Sequence, residues 1–176
     1  MTDTFSFDYF GSTIVAESLG VNSIPSVHET LSSHCIPFTA DGKIVAINVL
    51  GRGVDIPGGH IDGDESAIAA MQREAREEAQ ITIINPELID VWRLSSADAK
   101  LGLSQRPYLL LFSATVESMD DFSVNDEVDE RLVLAPDDFI ARYFGDKHQA
   151  RVMINRALGA RKLSSPHQDV NQKNMP

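Results

Sequence analysis

The sequence is poor in cysteine, in basic residues and in long apolar runs, and each scarcity excludes a class of protein. A single cysteine, Cys35, excludes an internal disulfide and a cysteine-rich metal cluster. No run of residues approaches the roughly 18 apolar positions that a membrane-spanning helix needs. Lysine and arginine number 15 against 26 acids, and the formal net charge of −11 disfavours binding to nucleic acid. We therefore expect no membrane partner and no nucleic-acid polymer as partner.

The length of 176 residues suits one domain with a sizeable core. We predict a single domain over residues 1–162, of which residues 1–30 form a poorly defined N-terminal extension, and a disordered polar tail over residues 163–176. The first residues lack the apolar stretch of a signal peptide, so we expect a cytoplasmic protein. A homodimer is compatible with the sequence, which does not decide the oligomeric state.

A glutamate-rich helix behind a glycine turn is the most informative segment. Apolar residues recur at intervals of three and four and predict a helix over residues 65–79, with a stripe formed by Ile68, Met71, Ala75 and Ala79. At about 100° per residue, Glu74, Glu77 and Glu78 share an arc of roughly 100° beside that stripe. Most glutamate runs are only solvated faces. Here the preceding glycines let the backbone approach a ligand closely, and three carboxylates suit Mg²⁺ or Mn²⁺.

The same segment resembles the signature of the Nudix hydrolases. That signature is a Gly, five residues, a Glu, seven residues, and then Arg-Glu-apolar-x-Glu-Glu-x-Gly-apolar. Six of its seven fixed positions are matched, by Gly59, Glu65, Arg73, Glu74, Glu77 and Glu78, and the apolar slots hold Ala75 and Ile81. At frequencies of about 5–7% per residue, six such matches arise by chance on the order of once in 10⁶ start positions.

Gln80 is the one departure, because the family has glycine there. The glycine commonly ends the helix in a left-handed conformation. A glutamine in that conformation costs about 1 kcal/mol, unless the helix ends in another way.

The resemblance implies a fold, a cofactor and a role for each matched residue. It implies an α/β fold, an α/β/α sandwich with a mixed β-sheet, that uses Mg²⁺ or Mn²⁺. Glu74 and Glu78 would be the principal metal ligands, and Glu77 a further ligand or a water-orienting group. The carbonyl of Gly59 would also face the metal. Arg73 would orient the carboxylates through forked hydrogen bonds, and Glu65 would brace the loop against the helix.

An acidic segment follows the predicted helix and holds candidates for one more functional carboxylate. Between Glu117 and Asp138 there are nine acids and one arginine. Nudix enzymes often recruit a carboxylate from a later loop as a metal ligand or general base, and Glu127 and Glu130 are the candidates. For either residue, a solvated acidic loop is the alternative. His60, after the glycine turn, is a weaker candidate for contact with a phosphate.

The remaining pattern mixes strands and helices in the order that such a sandwich requires. Strands are predicted at 34–38, 43–50, 54–56, 81–84, 88–94 and 107–116. A hairpin turn is predicted at Asp41-Gly42. Helices are predicted from Pro136 and from Asp146 to Arg161, where Asp146 and Gln149 resemble a capping box.

The glutamate helix and its resemblance to the Nudix signature together imply a metal-dependent pyrophosphohydrolase that cleaves a nucleoside diphosphate linked to another group. A nucleoside triphosphate, with an intact or an oxidised base, is the first expectation. ADP-ribose or another nucleotide sugar is the next. Two further classes stay open: a non-catalytic domain that senses nucleotides, and a prenyl diphosphate isomerase, which would need a cysteine nucleophile and metal-binding histidines.

Overall fold

The computed structural model describes residues 3–9, 11–22 and 24–164 and contains one nine-stranded sheet. Its strands are β1 (Thr4–Tyr9), β2 (Ser12–Ser18), β3 (Thr30–Phe38), β4 (Ile44–Val49), β5 (Gly53–Asp55), β6 (Gly58–His60), β7 (Ile81–Ser95), β8 (Tyr108–Met119) and β9 (Val128–Leu134). Its helices are α1 (Ala67–Ala79), α2 (Pro136–Arg142) and α3 (Lys147–Ser164).

The sheet is mixed. Its strands follow the order β1-β2-β7-β8-β3-β4-β5, while β6 pairs with β3 and β9 pairs with β4. The pair β3–β8 is parallel, with Ser32 opposite Leu109 and Phe38 opposite Thr115. The other pairings among the named strands are antiparallel. Because β3 and β8 run in the same direction, a long crossover that contains α1 must connect them.

The two faces of the sheet carry separate apolar cores. Along β4, Ile44 and Ala46 belong to the core beneath α2 and α3, whereas Val45 and Ile47 belong to the core beneath α1. Successive side chains of a strand point to opposite faces, so a strand buried on both faces is apolar throughout. The α/β/α sandwich with a mixed β-sheet is therefore confirmed.

Three segments differ from the expectation. The N-terminal segment, predicted as poorly defined, forms β1 and β2, and β2 pairs with β7. The two strands predicted at 81–84 and 88–94 are one strand, β7, whose pairing with β8 shifts between Ile84 and Glu87. This shift is a β-bulge, in which Asn85 has a φ of 51°. A bulge is one of the few places where a strand can contain a proline, here Pro86. β9 occupies part of the segment predicted as an acidic loop.

The C-terminal helix extends further than its pattern indicates. α3 continues past Arg161 to Ser164. The tail predicted from residue 163 thus begins inside the helix, and residues 165–176 lie outside the described residues. None of the helices in the described part of the chain is long and apolar enough to cross a membrane.

Candidate active site

Two glycines let β6 lie directly against the side chains of the site. A Cβ on Gly58 would lie 2.5 Å from Cα and Cγ of His34, and a Cβ on Gly59 would overlap the Glu74 carboxylate. Neither position can therefore hold a larger residue without a shift of its neighbours. The sequence predicted that this turn approaches a ligand, and the structure shows that it approaches the carboxylates of α1.

α1 presents its glutamates beside a buried stripe. Its first turn is capped by Ser66, whose Oγ accepts a hydrogen bond from the Ala69 N–H at 3.2 Å. Met71, Ala75 and Ala79 are fully buried against the sheet. Ile68, predicted on the same stripe, is instead 41% exposed in the first helical turn. The buried stripe fixes the rotation of the helix and therefore the direction of its carboxylates.

Glu78 is a buried carboxylate held by the backbone of the glycine turn. The residue is only 6% exposed, and the N–H of Gly58 donates to its Oε2 at 2.8 Å. Burial raises the pKa of Glu78 to about 8, and the hydrogen bond from Gly58 opposes this shift only in part. A buried carboxylate is unfavourable unless a cation or further donors compensate it. This environment fits a metal ligand.

Arg73 forms hydrogen bonds to the other three glutamates of the Nudix signature, Glu65, Glu74 and Glu77. Its Nη1 donates to Glu74 Oε1 at 2.8 Å and to Glu77 Oε2 at 3.0 Å. Its Nη2 donates to Glu65 Oε1 at 2.7 Å and to the His60 carbonyl at 3.0 Å. A planar guanidinium can make such bonds to several oxygens at once. Arg73 thus lies between the β6 loop and α1 and sets the orientation of the carboxylates around it.

A loop between β8 and β9 is fastened to the C-terminal end of α1. Gln80 ends the helix with φ 52° and ψ 48°, so it adopts the left-handed conformation of the family glycine. Its Nε2 donates to the Ser123 carbonyl at 2.6 Å, and its Oε1 accepts from the Ser123 N–H at 2.8 Å. The Asn125 amide donates to the Glu77 carbonyl at 3.0 Å. The glutamine thereby adds two contacts that a glycine would not make.

This fastened loop brings Glu127, but not Glu130, to the site. Glu127 lines the same cavity as Glu74, Glu77 and Glu78. Glu130 lies in β9 opposite Asn48 and is not among the residues that line that cavity.

Asp126 also lines the cavity, although no sequence pattern distinguishes it as a site residue. Its signal was weak, because one more acid in an acidic stretch carries no distinguishing pattern.

The cavity has a volume of about 810 Å³ and extends well beyond the carboxylates. Its apolar part is lined by side chains from the middle and from both ends of the chain, including Phe7, Ile14, Trp92, Leu111, Tyr143 and Met153. The N-terminal segment thus supplies part of the wall. The alternation of Phe5, Phe7 and Tyr9 is a period-two signal that could have revealed β1.

Arg52 and Asp55 form an ion pair on the wall of the same cavity. Arg52 Nη2 lies 3.0 Å from Asp55 Oδ2, and its guanidinium lies over the rings of Tyr9 and Phe144, at 5.8 Å and 5.3 Å. Burial raises the pKa of Asp55 to about 6, although Arg52 acts in the opposite direction. Burial, with Arg52, also lowers the pKa of His34 to about 3, so this imidazole stays neutral.

Cys35 is a packing residue of the core. Cys35 is fully buried in the core beneath α1, and burial raises the pKa of its thiol. It does not line the cavity. Without an accessible thiol, the isomerase alternative has no nucleophile.

The donor set fits a hard divalent cation. Glutamate oxygens are the ligands that Mg²⁺ and Mn²⁺ prefer, and Glu78 is buried with one hydrogen bond from the protein backbone. Within the part of the chain that the structure describes, no three acidic, histidine or cysteine side chains already converge on one point. Arg73 holds Glu74 and Glu77 in the arrangement observed.

Comparison with known proteins identifies the family. A family model described as the NUDIX domain matches residues 30–155, which is most of the chain. The chain belongs to the Nudix family. It is accordingly a hydrolase, as the resemblance at Gly59 to Ile81 predicted. No curated protein sequence matches the chain.

Solved structures with the same fold share few residues with this Nudix chain. A mutant of the Bacillus subtilis pyrophosphohydrolase BsRppH has 15% identity and a TM-score of 0.67, covering 93% of this chain and 98% of that one. A Streptococcus suis ADP-ribose pyrophosphatase has 19% identity and a TM-score of 0.55, covering 79% and 95%. A C. elegans Ap4A hydrolase has 16% identity and a TM-score of 0.55, covering 76% and 99%. Such likenesses show the fold.

Proposed function

We propose that this Nudix hydrolase is a metal-dependent pyrophosphohydrolase whose substrate is a nucleoside diphosphate linked to another group. A nucleoside triphosphate is the substrate class that we propose first, before ADP-ribose or another nucleotide sugar. One observation carries the proposal. A single cavity of about 810 Å³ joins the carboxylates of α1 to an apolar chamber, and ligand sites of this size accommodate a nucleotide. The carboxylate part suits a diphosphate with its metal, and the apolar part suits a nucleoside.

Glu74, Glu77 and Glu78 would hold Mg²⁺ or Mn²⁺, with the Gly59 carbonyl facing the ion. When bound, the ion would neutralise charge on the diphosphate and polarise its phosphoryl oxygens. Arg73 would keep the carboxylates in place through the hydrogen bonds described above.

The chain's own groups would then manage the attacking water. The water oxygen forms a bond to one phosphorus while the bond from that phosphorus to the bridging oxygen breaks, and the bridging oxygen leaves with the other phosphoryl group. The proton of the water passes to a carboxylate. Glu127 lies on the solvent side of the cavity, and Glu77 has a side chain that is 59% exposed. Both line the cavity and are exposed to solvent, which makes them the candidates to accept that proton.

The test is a panel of nucleoside triphosphates, oxidised nucleotides, dinucleoside polyphosphates, ADP-ribose and nucleotide sugars. Phosphate, pyrophosphate and nucleotide products are measured with Mg²⁺, with Mn²⁺ and with chelator. We expect turnover of one class, which chelator abolishes. A preference for ADP-ribose or a nucleotide sugar would replace the triphosphate by the next substrate class. If the folded protein binds a nucleotide and hydrolyses none, the proposal fails and a sensing role replaces it.

A further inference from the structure

On the α3 side of the cavity, the side chain of Gln149 is buried without a hydrogen-bond partner. The residue is 1% exposed, and it lines the cavity. Among the described residues, neither its Nε2 nor its Oε1 has a partner. Buried amides are nearly always paired, because an unpaired donor or acceptor destabilises the fold. A cavity-facing amide with no partner therefore points to a group that the ligand supplies.

The local structure turns this amide inward. Asp146 Oδ1 accepts from the N–H groups of His148 and Gln149, at 2.7 Å and 2.9 Å, and so begins α3. In a complete capping box, the Gln149 side chain would return to the backbone of Asp146. Here the reciprocal bond is not formed. The capping resemblance in the sequence thus marks the start of the helix correctly but assigns the wrong partner to Gln149.

Gly145 leaves room beside the amide. A Cβ at this position would lie 2.8 Å from Cε1 of Tyr143 and 3.3 Å from Oε1 of Gln149. Any larger residue would press on the ring and the amide oxygen together. The turn before α3 therefore keeps both groups free at the cavity wall.

We infer that Gln149 binds the edge of the substrate's nucleobase. A primary amide presents an acceptor next to a donor, and the bases present a donor next to an acceptor on one edge. Tyr143, Phe144 and Trp92 line the same cavity and offer ring faces to a planar heterocycle. A sugar could also pair with the amide, but the apolar lining gives its remaining hydroxyls few partners.

This inference rests on the proposed function and deepens it. The α1 carboxylates would hold the diphosphate with its metal, while α3, from the opposite face of the sheet, would recognise the nucleoside. Both groups line one cavity. Base preference would then depend on Gln149, and turnover would depend on Glu78.

The test measures binding apart from catalysis. AMP, GMP, CMP, UMP and ribose 5-phosphate are titrated into the protein with EDTA present, by isothermal titration calorimetry. We expect one nucleotide to bind best and ribose 5-phosphate to bind worst. Gln149→Leu should lower the affinity for the preferred nucleotide by roughly 10- to 100-fold, which is the range for loss of a bidentate amide–base pair. It should leave ribose 5-phosphate unchanged.

Two further variants separate a binding role from a packing role. Asn155→Leu alters an exposed amide on α3 and should change neither affinity nor preference. Gln149→Glu keeps the size of the side chain but removes its N–H donor, so it should also lower the affinity for the preferred nucleotide. Without ligand, Gln149→Leu should raise Tm by roughly 2–4 °C, because it removes an unpaired buried amide. Asn155→Leu should not raise Tm.

The outcomes distinguish this inference from the proposed function. The inference is overturned if the wild type and Gln149→Leu bind the nucleotides with equal affinity. It is also overturned if ribose 5-phosphate binds tightly or if no nucleotide binds. If metal-dependent turnover is present while base preference ignores Gln149, only the inference fails. If the base preference depends on Gln149 while nothing is hydrolysed, the base site stands and the proposed activity fails.

Discussion

Neighbouring glutamates on one helix occupy very different surroundings. Glu78 is 6% exposed and receives a backbone hydrogen bond, whereas the side chain of Glu77 is 59% exposed and pairs with Arg73. A buried carboxylate that is fixed in place loses little further freedom when it binds an ion. An exposed one can change position between Arg73 and a ligand. In the proposed metal site, the cluster would thus combine a fixed ligand with an adaptable one.

Glu78→Gln should abolish turnover and leave the fold intact. We expect a fall in kcat/KM of more than about 100-fold, because changes even in outer-shell partners cost about 10–100-fold. The new amide oxygen can still accept from the Gly58 N–H, and a buried charge is removed, so Tm should not fall. Steady-state kinetics and circular dichroism provide the measurements.

The same variant tests metal binding without substrate. At a Mg²⁺ concentration of about 100 Kd, the wild type should gain roughly 5–10 °C in Tm, and Glu78→Gln should gain little. Glu117→Gln, an exposed change on β8, is the matched control and should behave as wild type. Unchanged activity in Glu78→Gln would remove the metal assignment.

Cys35 should be chemically silent in the native protein. It is fully buried, and burial raises the pKa of its thiol, so the reactive thiolate is scarce. We expect iodoacetamide to leave the native chain unmodified and to alkylate it fully in guanidinium chloride, as read by intact mass. Native labelling at the rate of the unfolded chain would show that this part of the core opens readily.

At the level of secondary structure, the loop before β9 depends on contacts that replace the family glycine. Gln80 adopts the left-handed conformation and bonds twice to Ser123, while Asn125 bonds to the end of α1. Arg131 in β9 donates to the carbonyls of Ala79 and Gln80, at 3.0 Å and 3.2 Å. The orphan carbonyls of the helix end are thus satisfied by the segment that carries Glu127.

Gln80→Gly should loosen this loop with little change in global stability. Relief of the left-handed strain gains about 1 kcal/mol, while each lost hydrogen bond costs about 0.5–1.5 kcal/mol. We expect the free energy of unfolding to change by less than about 1.5 kcal/mol and the Ser123 amide to exchange faster with deuterium. Gln80→Asn, which is too short to reach Ser123, should do the same. Unchanged exchange in both variants would contradict the fastening role.

Glu127 and Glu130 offer a matched pair on this segment. Glu127→Gln should lower kcat/KM by about 100-fold if it takes the proton from water, within the usual range for general bases. Glu130→Gln should stay within about twofold of wild type, because β9 directs that position away from the cavity. Each substitution replaces one carboxylate oxygen by an amide nitrogen, and both variants are compared with the wild type under saturating Mg²⁺. Equal losses would exclude a specific role for Glu127.

The sequence predicted best those elements in which local pattern and burial agree. The stripe on α1 and the Asp41-Gly42 hairpin were recognisable because apolar spacing and turn chemistry point to one structure. β9 was missed because its acids suggest a loop, although Leu132 packs in the core. β7 was divided because Asn85-Pro86 normally ends a strand, and only pairing with β8 carries it through the bulge. Gln149 was assigned to a cap because tertiary packing, which local pattern does not contain, turns it inward.

For the whole molecule, a buried ionic network holds the N-terminal hairpin and α3 against the sheet. Asp90 in β7 is 1% exposed and accepts from Trp92 Nε1 at 2.6 Å and Ser18 Oγ at 3.0 Å. Arg156 on α3 pairs with Asp90 and donates to Asp3 at 3.0 Å. Elements far apart in sequence therefore share one charge pair, and Trp92, which lines the cavity, donates to the same carboxylate.

Arg156→Met should destabilise the whole domain, since it leaves the Asp90 carboxylate buried without its cation. Breaking a buried ion pair lowers the free energy of unfolding by about 3–5 kcal/mol. Because Arg156 is partly exposed, we expect a loss of about 2–4 kcal/mol here. Urea denaturation measures the change. Arg151→Met, at an exposed position on the same helix, should stay within about 0.5 kcal/mol. A loss below about 1 kcal/mol would show that Asp90 is satisfied by its other donors.

The parallel pair β3–β8 has a consequence for the order of folding. Ser32 meets Leu109 at the centre of the sheet, and the chain between them contains both β6 and α1. Closing so long a loop is slow, because its entropy must be lost before the contacts form. α1 can become helical early, but the core beneath it also needs residues of β8. We therefore expect a refolding chain, or one leaving the ribosome, to acquire its helix long before it can retain a metal ion.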